Sequence, residues 1–402
     1  MEDASARPLL WIDRPDALQT FAADLRAESR LALDTEANGF HRYFERVCLV
    51  QISTPSRDAL VDTLALRDLA PLAPLLADPA VCKVLHGADY DVIGLRRDFG
   101  IEIRGLFDTM IAARLVGRTE VGLAALLRDF VGVAVDKASQ RADWTVRPLP
   151  PHLVEYARGD TRHLVAVAER LAQDLAAAGR AAAAAEEFSL VEARVARNER
   201  FAADGWAREP AARRMSPRER GAFKALWEWR DARARQRDVP PFRVLATEAI
   251  AALAQRPPAD VAALAHVRGV GERLAQAAGR QILAALRDAL PTEQPRRADG
   301  DDDGRGAGGG GGGVGGSGGG GPLQRAERAR FDALRRWRKE AAARRALDAG
   351  LLISNGALWE IARAFPRDAA ALAAVAEVRR WQVAELGAEI LAVLARAAAP
   401  AT

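Results

Sequence analysis

The stretch Leu31-Ala-Leu-Asp34-Thr-Glu36-Ala-Asn-Gly-Phe40 decides the fold. Its apolar start, 31–33, predicts a buried strand, and two acids spaced by two follow it. Side chains alternate between the faces of a strand, so Asp34 and Glu36 point the same way. Two carboxylates at the end of a buried strand repel and lose hydration unless something pairs them. A divalent cation is the economical partner; a solvated strand end is the alternative reading of this pair alone.

Further apolar runs at 47–52, 59–61 and 81–85 predict strands, and 89–99, 123–130 and 151–175 read as helical. This is an α/β domain with hairpin strands first and a helix-flanked sheet after them. The segment VCKVLHGADYDVIGLRRDFG, 81–100, runs from a strand through a glycine turn into a helix. Asp91 falls in the first turn of that helix, near a strand end, where ligand sites of open α/β sheets gather. Asp89 at the helix start reads as its N-cap, which leaves Asp91 for metal. His86 reads as a structural residue. In DWTVRPLPPHLVEYARGDTRHL, 143–164, Pro150 and Pro151 open a helix. Tyr156 and Asp160 are then i and i+4 on one face.

Asp34-Thr-Glu36, His86 through Asp91, and Tyr156-x3-Asp160, in this order, resemble the three motifs of the DEDDy 3′→5′ exonucleases. VCLVQIS at 47–53, FDTMIAARLVG at 107–117 and VDKASQRADWTVRPLP at 135–150 resemble the ribonuclease D family in particular. The resemblance implies a ribonuclease-H-like exonuclease domain over 1–208. It implies that Asp34, Glu36, Asp91 and Asp160 hold two divalent ions, Mg²⁺ or else Mn²⁺, with Tyr156 beside them. The catalytic set is then Asp34, Glu36, Asp91, Tyr156 and Asp160. An ordinary tyrosine has a pKa of about 10 and is a poor general base, so Tyr156 is assigned to orienting water. Hydrolysis from the 3′ end, release of nucleoside 5′-monophosphates and a place in tRNA 3′ processing are the implied activity.

Lys137, Gln140, Trp144 and Arg147 are the expected substrate contacts, with cations on phosphates and the indole on a base. Trp144 reads equally as a core residue. Arg141, and Arg42, Tyr43 and Arg46 after the first motif, are weaker candidates. Asp108 and Asp143 read as structural.

The second half of the chain carries a repeat. FKALWEWR, 223–230, matches FDALRRWR, 331–338, at an offset of 108. The same offset pairs Leu245 with Ile353, Asp260 with Asp368, Gly279 with Gly387 and Leu286 with Leu394. Two small helical domains follow, at 213–290 and 324–398, and they resemble the helicase-and-RNase-D C-terminal (HRDC) domains. Between them, 291–323 is rich in glycine and predicts a flexible tether. In the first copy Gly269-Val270-Gly271 reads as a turn needing positive φ or as a phosphate contact.

The chain of 402 residues is 49% hydrophobic and 28% charged, which excludes a disordered or fibrous protein. No apolar run is long enough to span a membrane. The acidic start Met1-Glu2-Asp3 predicts no secretory leader. Cys48 and Cys82 cannot form a disulfide framework, so a reducing cytoplasm is expected. The net charge of +4 divides into −5 over 1–200 (25 basic, 30 acidic) and +9 over 201–402 (33 basic, 24 acidic). That division suggests an acidic site served by RNA-binding domains. The expected partner is structured RNA with a free 3′ end, such as a tRNA precursor, with no membrane and a monomeric state. A DNA exonuclease of the same superfamily and a non-catalytic RNA-binding protein are the competing readings.

Overall fold

The computed structural model describes residues 7–135, 139–195, 205–293 and 322–398. Six strands form one mixed sheet: β1 (Leu9–Ile12), β2 (Arg30–Ala37), β3 (Val47–Ser53), β4 (Asp58–Val61), β5 (Cys82–Leu85) and β6 (Leu106–Asp108). Their order is β1-β4-β3-β2-β5-β6. β2, β3 and β4 are antiparallel neighbours, whereas β1 pairs with β4, and β5 with β2 and β6, in parallel. The hairpins come first and the parallel crossovers later, because only helical connections return a strand in the same direction. Every residue of β3 and β4 is buried. The short edge strands β1 and β6 have too few residues to show a pattern in the sequence.

The region 151–175 is two helices, Pro151–Arg162 and Leu164–Ala177. The break at His163 follows from what each half covers. The first half is tied to the strands by Arg158 and Arg162, which pair with the buried Asp58 at 2.6 and 3.2 Å. The Thr161 hydroxyl shares a 2.7 Å hydrogen bond with Ser53. The second half places Leu164 and Ala168 against Ala32 of β2 and Val84 of β5. One straight helix cannot follow both patches of a twisted sheet.

The two helical repeats keep the same internal bonds at the offset of 108. The Arg230 guanidinium donates to the Leu245 carbonyl and Thr247, and that of Arg338 to the Ile353 carbonyl and Asn355. Likewise the Trp229 indole donates to Gln281 and the Trp337 indole to Glu389. Asp260 and Asp368 each cap a short helix. Gly269 and Gly271 have φ of +90° and +71°, which only glycine adopts cheaply. The turn therefore needs glycine for its backbone.

The repeats differ in what they pack against. The first has a core of its own, built on Trp206, Phe223, Leu226, Ile250 and Ile282. The core of the second is continuous with that of the exonuclease domain. The amides of Arg380 and Trp381 donate to Glu186, and the Trp381 indole to Glu187 at 2.9 Å. The second domain is thus docked. Most of the tether, 294–321, lies outside the described residues. Trp381→Ala removes a buried ring from this junction, at a cost of about 3 kcal/mol. We expect faster proteolytic release of the C-terminal domain and a melting temperature lowered by several degrees. An unchanged melt would show the junction to be marginal.

Candidate active site

Asp34 and Glu36 lie on β2, beyond the point where its pairing with β5 ends at Ala32 and Val84. A register shift between Glu36 and Ala37 marks a bulge against β3, the kind of irregularity that re-aims side chains at sites. The Pro151–Arg162 helix packs on this face. Proline at its first position supplies a preset φ and no wasted donor. The result brings carboxylate oxygens of Asp34, Glu36 and Asp160 within 4.8 Å of one another.

Asp91 sits in the first turn of the Asp89–Phe99 helix and is buried. It is not within that 4.8 Å group; its carboxylate accepts a 2.6 Å hydrogen bond from the Thr35 hydroxyl. Its charge nonetheless reaches the others. Burial, then Asp91, Asp160 and Glu36, hold the Asp34 carboxyl well above the usual range. Glu36 is pushed up to about 9 by burial, with Asp160 and Asp91 adding to it. Burial and Asp91 raise Asp160 to about 7. Burial raises Asp91 to about 7 against the lowering pull of Thr35. Of these four acids, which resist ionisation together, Asp34, Glu36 and Asp160 converge closely enough for their oxygens to suit a hard divalent cation.

Tyr156 stands one turn before Asp160, its ring 5.9 Å from that of Trp144. Trp144 is 1% exposed, packed with Cys48, Leu49, Leu60 and Leu153. It therefore cannot stack on a base; it backs the Tyr156 ring. Arg147 is also not available to substrate. Its guanidinium makes two bonds of 2.7 and 2.8 Å to Asp62 and others to the carbonyls of Cys48, Trp144 and Val146. These bonds fix the segment that carries Trp144. Gln140 is exposed in a turn, and Lys137 lies outside the described residues. Tyr43 is buried against the first helical domain, its hydroxyl donating to Asp231 at 2.9 Å. It is a domain contact, and Arg42 pairs with Asp238 beside it.

Asp89 is not the N-cap; that position is Ala88. Asp108 is the side chain that steadies the turn before this helix and caps the next one. Its buried carboxylate accepts from the amides of Met110 and Ile111, capping the Thr109–Leu115 helix, and from those of Gly87 and Ala88, fixing the turn that leads into the Asp89–Phe99 helix. Asp143 accepts from Thr145, in keeping with a structural role. His86 bonds Thr109 at 2.9 Å, and burial lowers its pKa to about 4. It is a neutral structural residue.

Two residues of the site were not read from the sequence. Thr35, between the two acids, is the hydroxyl that holds Asp91. Gln51 pairs with Asp34 across the β2–β3 register. It is fully buried, and neither of its amide atoms has a partner among the described residues. The one signal for it was a polar side chain in the otherwise apolar run VCLVQI.

The sequence matches the model of the 3′-5′ exonuclease domain over residues 9–176, and that of the HRDC domain over 219–286 and 327–394. It is 34% identical over 295 residues to ribonuclease D of Granulibacter bethesdensis, covering 69% of this chain and 71% of that one. It is also 34% identical over 303 residues to the exosome complex exonuclease RRP6 of Saccharomyces cerevisiae. There the match spans 70% of this chain but only 40% of the yeast protein. The crystal structure of Escherichia coli RNase D superposes with a TM-score of 0.68 at 24% identity, covering 96% of this chain and 99% of that one. Its likeness speaks for the fold. The acids on β2 and the Pro151–Arg162 helix, with these matches over the same residues, place the chain in the ribonuclease D family of 3′→5′ exoribonucleases.

Proposed function

We propose that this chain trims RNA from a free 3′ end with Asp34, Glu36, Asp91 and Asp160 holding two divalent cations, Mg²⁺ foremost, and Tyr156 beside them. The convergence of Asp34, Glu36 and Asp160 carries the reading. Bound divalent cations supply Lewis acidity at the scissile phosphate and make water acidic enough to attack at neutral pH. The chain's own residues supply placement. β2 fixes two of the acids and the Pro151–Arg162 helix a third. Thr35 orients the carboxylate of Asp91. Trp144 holds the ring of Tyr156, whose hydroxyl orients the attacking water. Nucleoside 5′-monophosphates are the product of attack at the phosphate with departure of the 3′ oxygen.

The RNA-binding role belongs to the helical domains, and structured RNA, tRNA precursors included, is the substrate we infer. The basic second half supports this. No helix among the described residues is long and apolar enough to cross a membrane. Cys48 and Cys82 are unbridged, which supports a cytoplasmic setting. With Mg²⁺, a 5′-labelled RNA should shorten from its 3′ end, and a 3′-phosphorylated RNA and the matched DNA should resist. Equal cleavage of RNA and DNA would favour the DNA exonuclease, and no cleavage of either would leave an RNA-binding protein.

A further inference from the structure

β3 lies between β2 and β4, and every one of its residues is buried. Side chains alternate along a strand, so Leu49, Gln51 and Ser53 share one face of the sheet. Asp34 of β2 stands directly opposite Gln51 on one side and Leu60 of β4 on the other. Residues paired in this way point to the same face. The Pro151–Arg162 helix covers that face. Its Thr161 shares a hydrogen bond with Ser53, and its Leu153 and Ala157 pack with Leu49 and Leu60. It is also the face of the acids, because Asp160 of the same helix meets Asp34 and Glu36 there.

Gln51 is the exception in this packing. It is fully buried, and neither its amide nitrogen nor its amide oxygen has a partner among the described residues. A buried amide left unpaired is costly, so an orphan of this kind calls for a physical reason. Its neighbours on the face do not offer it a partner. The Ser53 hydroxyl is engaged with Thr161 at 2.7 Å. Asp58, which pairs with Ser53 across the β3–β4 register, is held by Arg158 and Arg162. Leu49, Leu60, Leu153 and Ala157 carry no polar side-chain atom. Asp34 is left, and β-carbons directly opposite each other on antiparallel strands are about 4.5–5.5 Å apart. A glutamine is long enough to cross that gap to the carboxylate.

The amide also has the right chemistry for the position. Its N–H groups can hold a carboxylate without neutralising it. Lysine or arginine in the same place would compete with a cation for the charge of Asp34. Carboxylates that ligate metals are themselves commonly fixed by such hydrogen bonds.

We propose that Gln51 is a positioning residue of the metal centre, its side-chain amide donating to the carboxylate of Asp34 when that acid ligates a divalent cation. This rests on the metal assignment made above for Asp34. The amide is a liability in the metal-free protein and is satisfied on loading. Part of the metal's affinity therefore comes from β3, a strand that contributes no ligand.

The full chain is compared with Gln51→Met, which keeps the length of the side chain and removes the amide. Ser53→Ala, on the same face, is the structural control. Calorimetric titration with Mg²⁺ and with Mn²⁺, without RNA, reads metal affinity, and melting in chelator reads the metal-free protein. We expect Gln51→Met to weaken metal binding by about tenfold or more, and to raise the Mg²⁺ needed for half-maximal RNA hydrolysis by a similar factor. In chelator it should melt at or above the wild type, because an apolar group of similar shape replaces an orphaned amide. Ser53→Ala should show the opposite pattern, melting lower with and without metal while its metal affinity stays within about twofold. Metal affinity of Gln51→Met within about twofold of the wild type would overturn the proposal. So would a lowered melt in chelator for both Gln51→Met and Gln51→Leu, which would make the residue structural. A wild type that binds neither ion would instead remove the metal assignment itself, and the same titration reports that separately.

Discussion

Asp34→Asn should abolish trimming while leaving a folded protein. The substitution keeps the side chain's shape and removes one charge from the position on which Asp91, Asp160 and Glu36 all act. A metal cluster that loses one anionic ligand loses several kcal/mol of transition-state stabilisation, so hydrolysis should fall by about a thousandfold or more. The same change relieves repulsion in the metal-free protein. With a chelator at neutral pH the variant should therefore melt above the wild type. Added Mg²⁺ should raise the wild type more than the variant. These two signs separate a ligand from a structural residue, because loss of a structural residue lowers the melt in both conditions. Trimming near the wild-type rate by Asp34→Asn would sink the metal assignment.

How far the sequence could be read depended on whether a residue's role was local. Asp34 and Glu36 on one strand face, and Tyr156 and Asp160 on one helix face, needed only the period of each element. The convergence of the two pairs was legible only through the resemblance, because no pattern within one element shows which helix covers which strand. Arg147 was misread for the same reason, and Trp144 stayed open between a base contact and a core residue. Next to a catalytic motif, an arginine and a tryptophan look like substrate contacts. The partners that consume them, Asp62 and the Leu49–Leu60 core, lie some eighty to a hundred positions earlier in the chain. Asp89 shows a nearer limit. An acid at a helix start looked like a cap, but Asp89 is already the first helical residue, and Asp108 from the next strand end takes the amides of Gly87 and Ala88 just before it. The repeat was legible as a register. That its second copy shares the exonuclease core was not, because a glycine-rich tether speaks of freedom and Glu186 and Glu187 lie on a helix with no mark of a partner.

The pH dependence of stability should expose the acid cluster as a unit. Glu36 holds its proton to about 9, Asp91 and Asp160 to about 7, and Asp34 is raised as well. In the unfolded chain these acids ionise near pH 4. Between these limits the folded state binds more protons than the unfolded one, so stability falls as pH rises. Three other groups oppose this trend outside a middle window, His163, whose pKa burial also lowers, acting in the same direction as His86. His86, lowered to about 4, costs stability as pH falls below its ordinary value of 6.5. Lys83, lowered to about 8 by burial, regains stability as pH rises above that. Between pH 6.5 and 8 the carboxylates dominate, and the melting temperature in chelator should decline. Divalent cations compete with these protons, so the stabilisation they add must grow over the same interval. At a hundredfold excess over Kd it amounts to about 2.7 kcal/mol. Glu36→Gln removes the carboxyl that holds its proton to about 9, and both slopes should flatten. Melting temperatures that run parallel with and without Mg²⁺ from pH 6.5 to 8 would mean that these acids do not hold the ion.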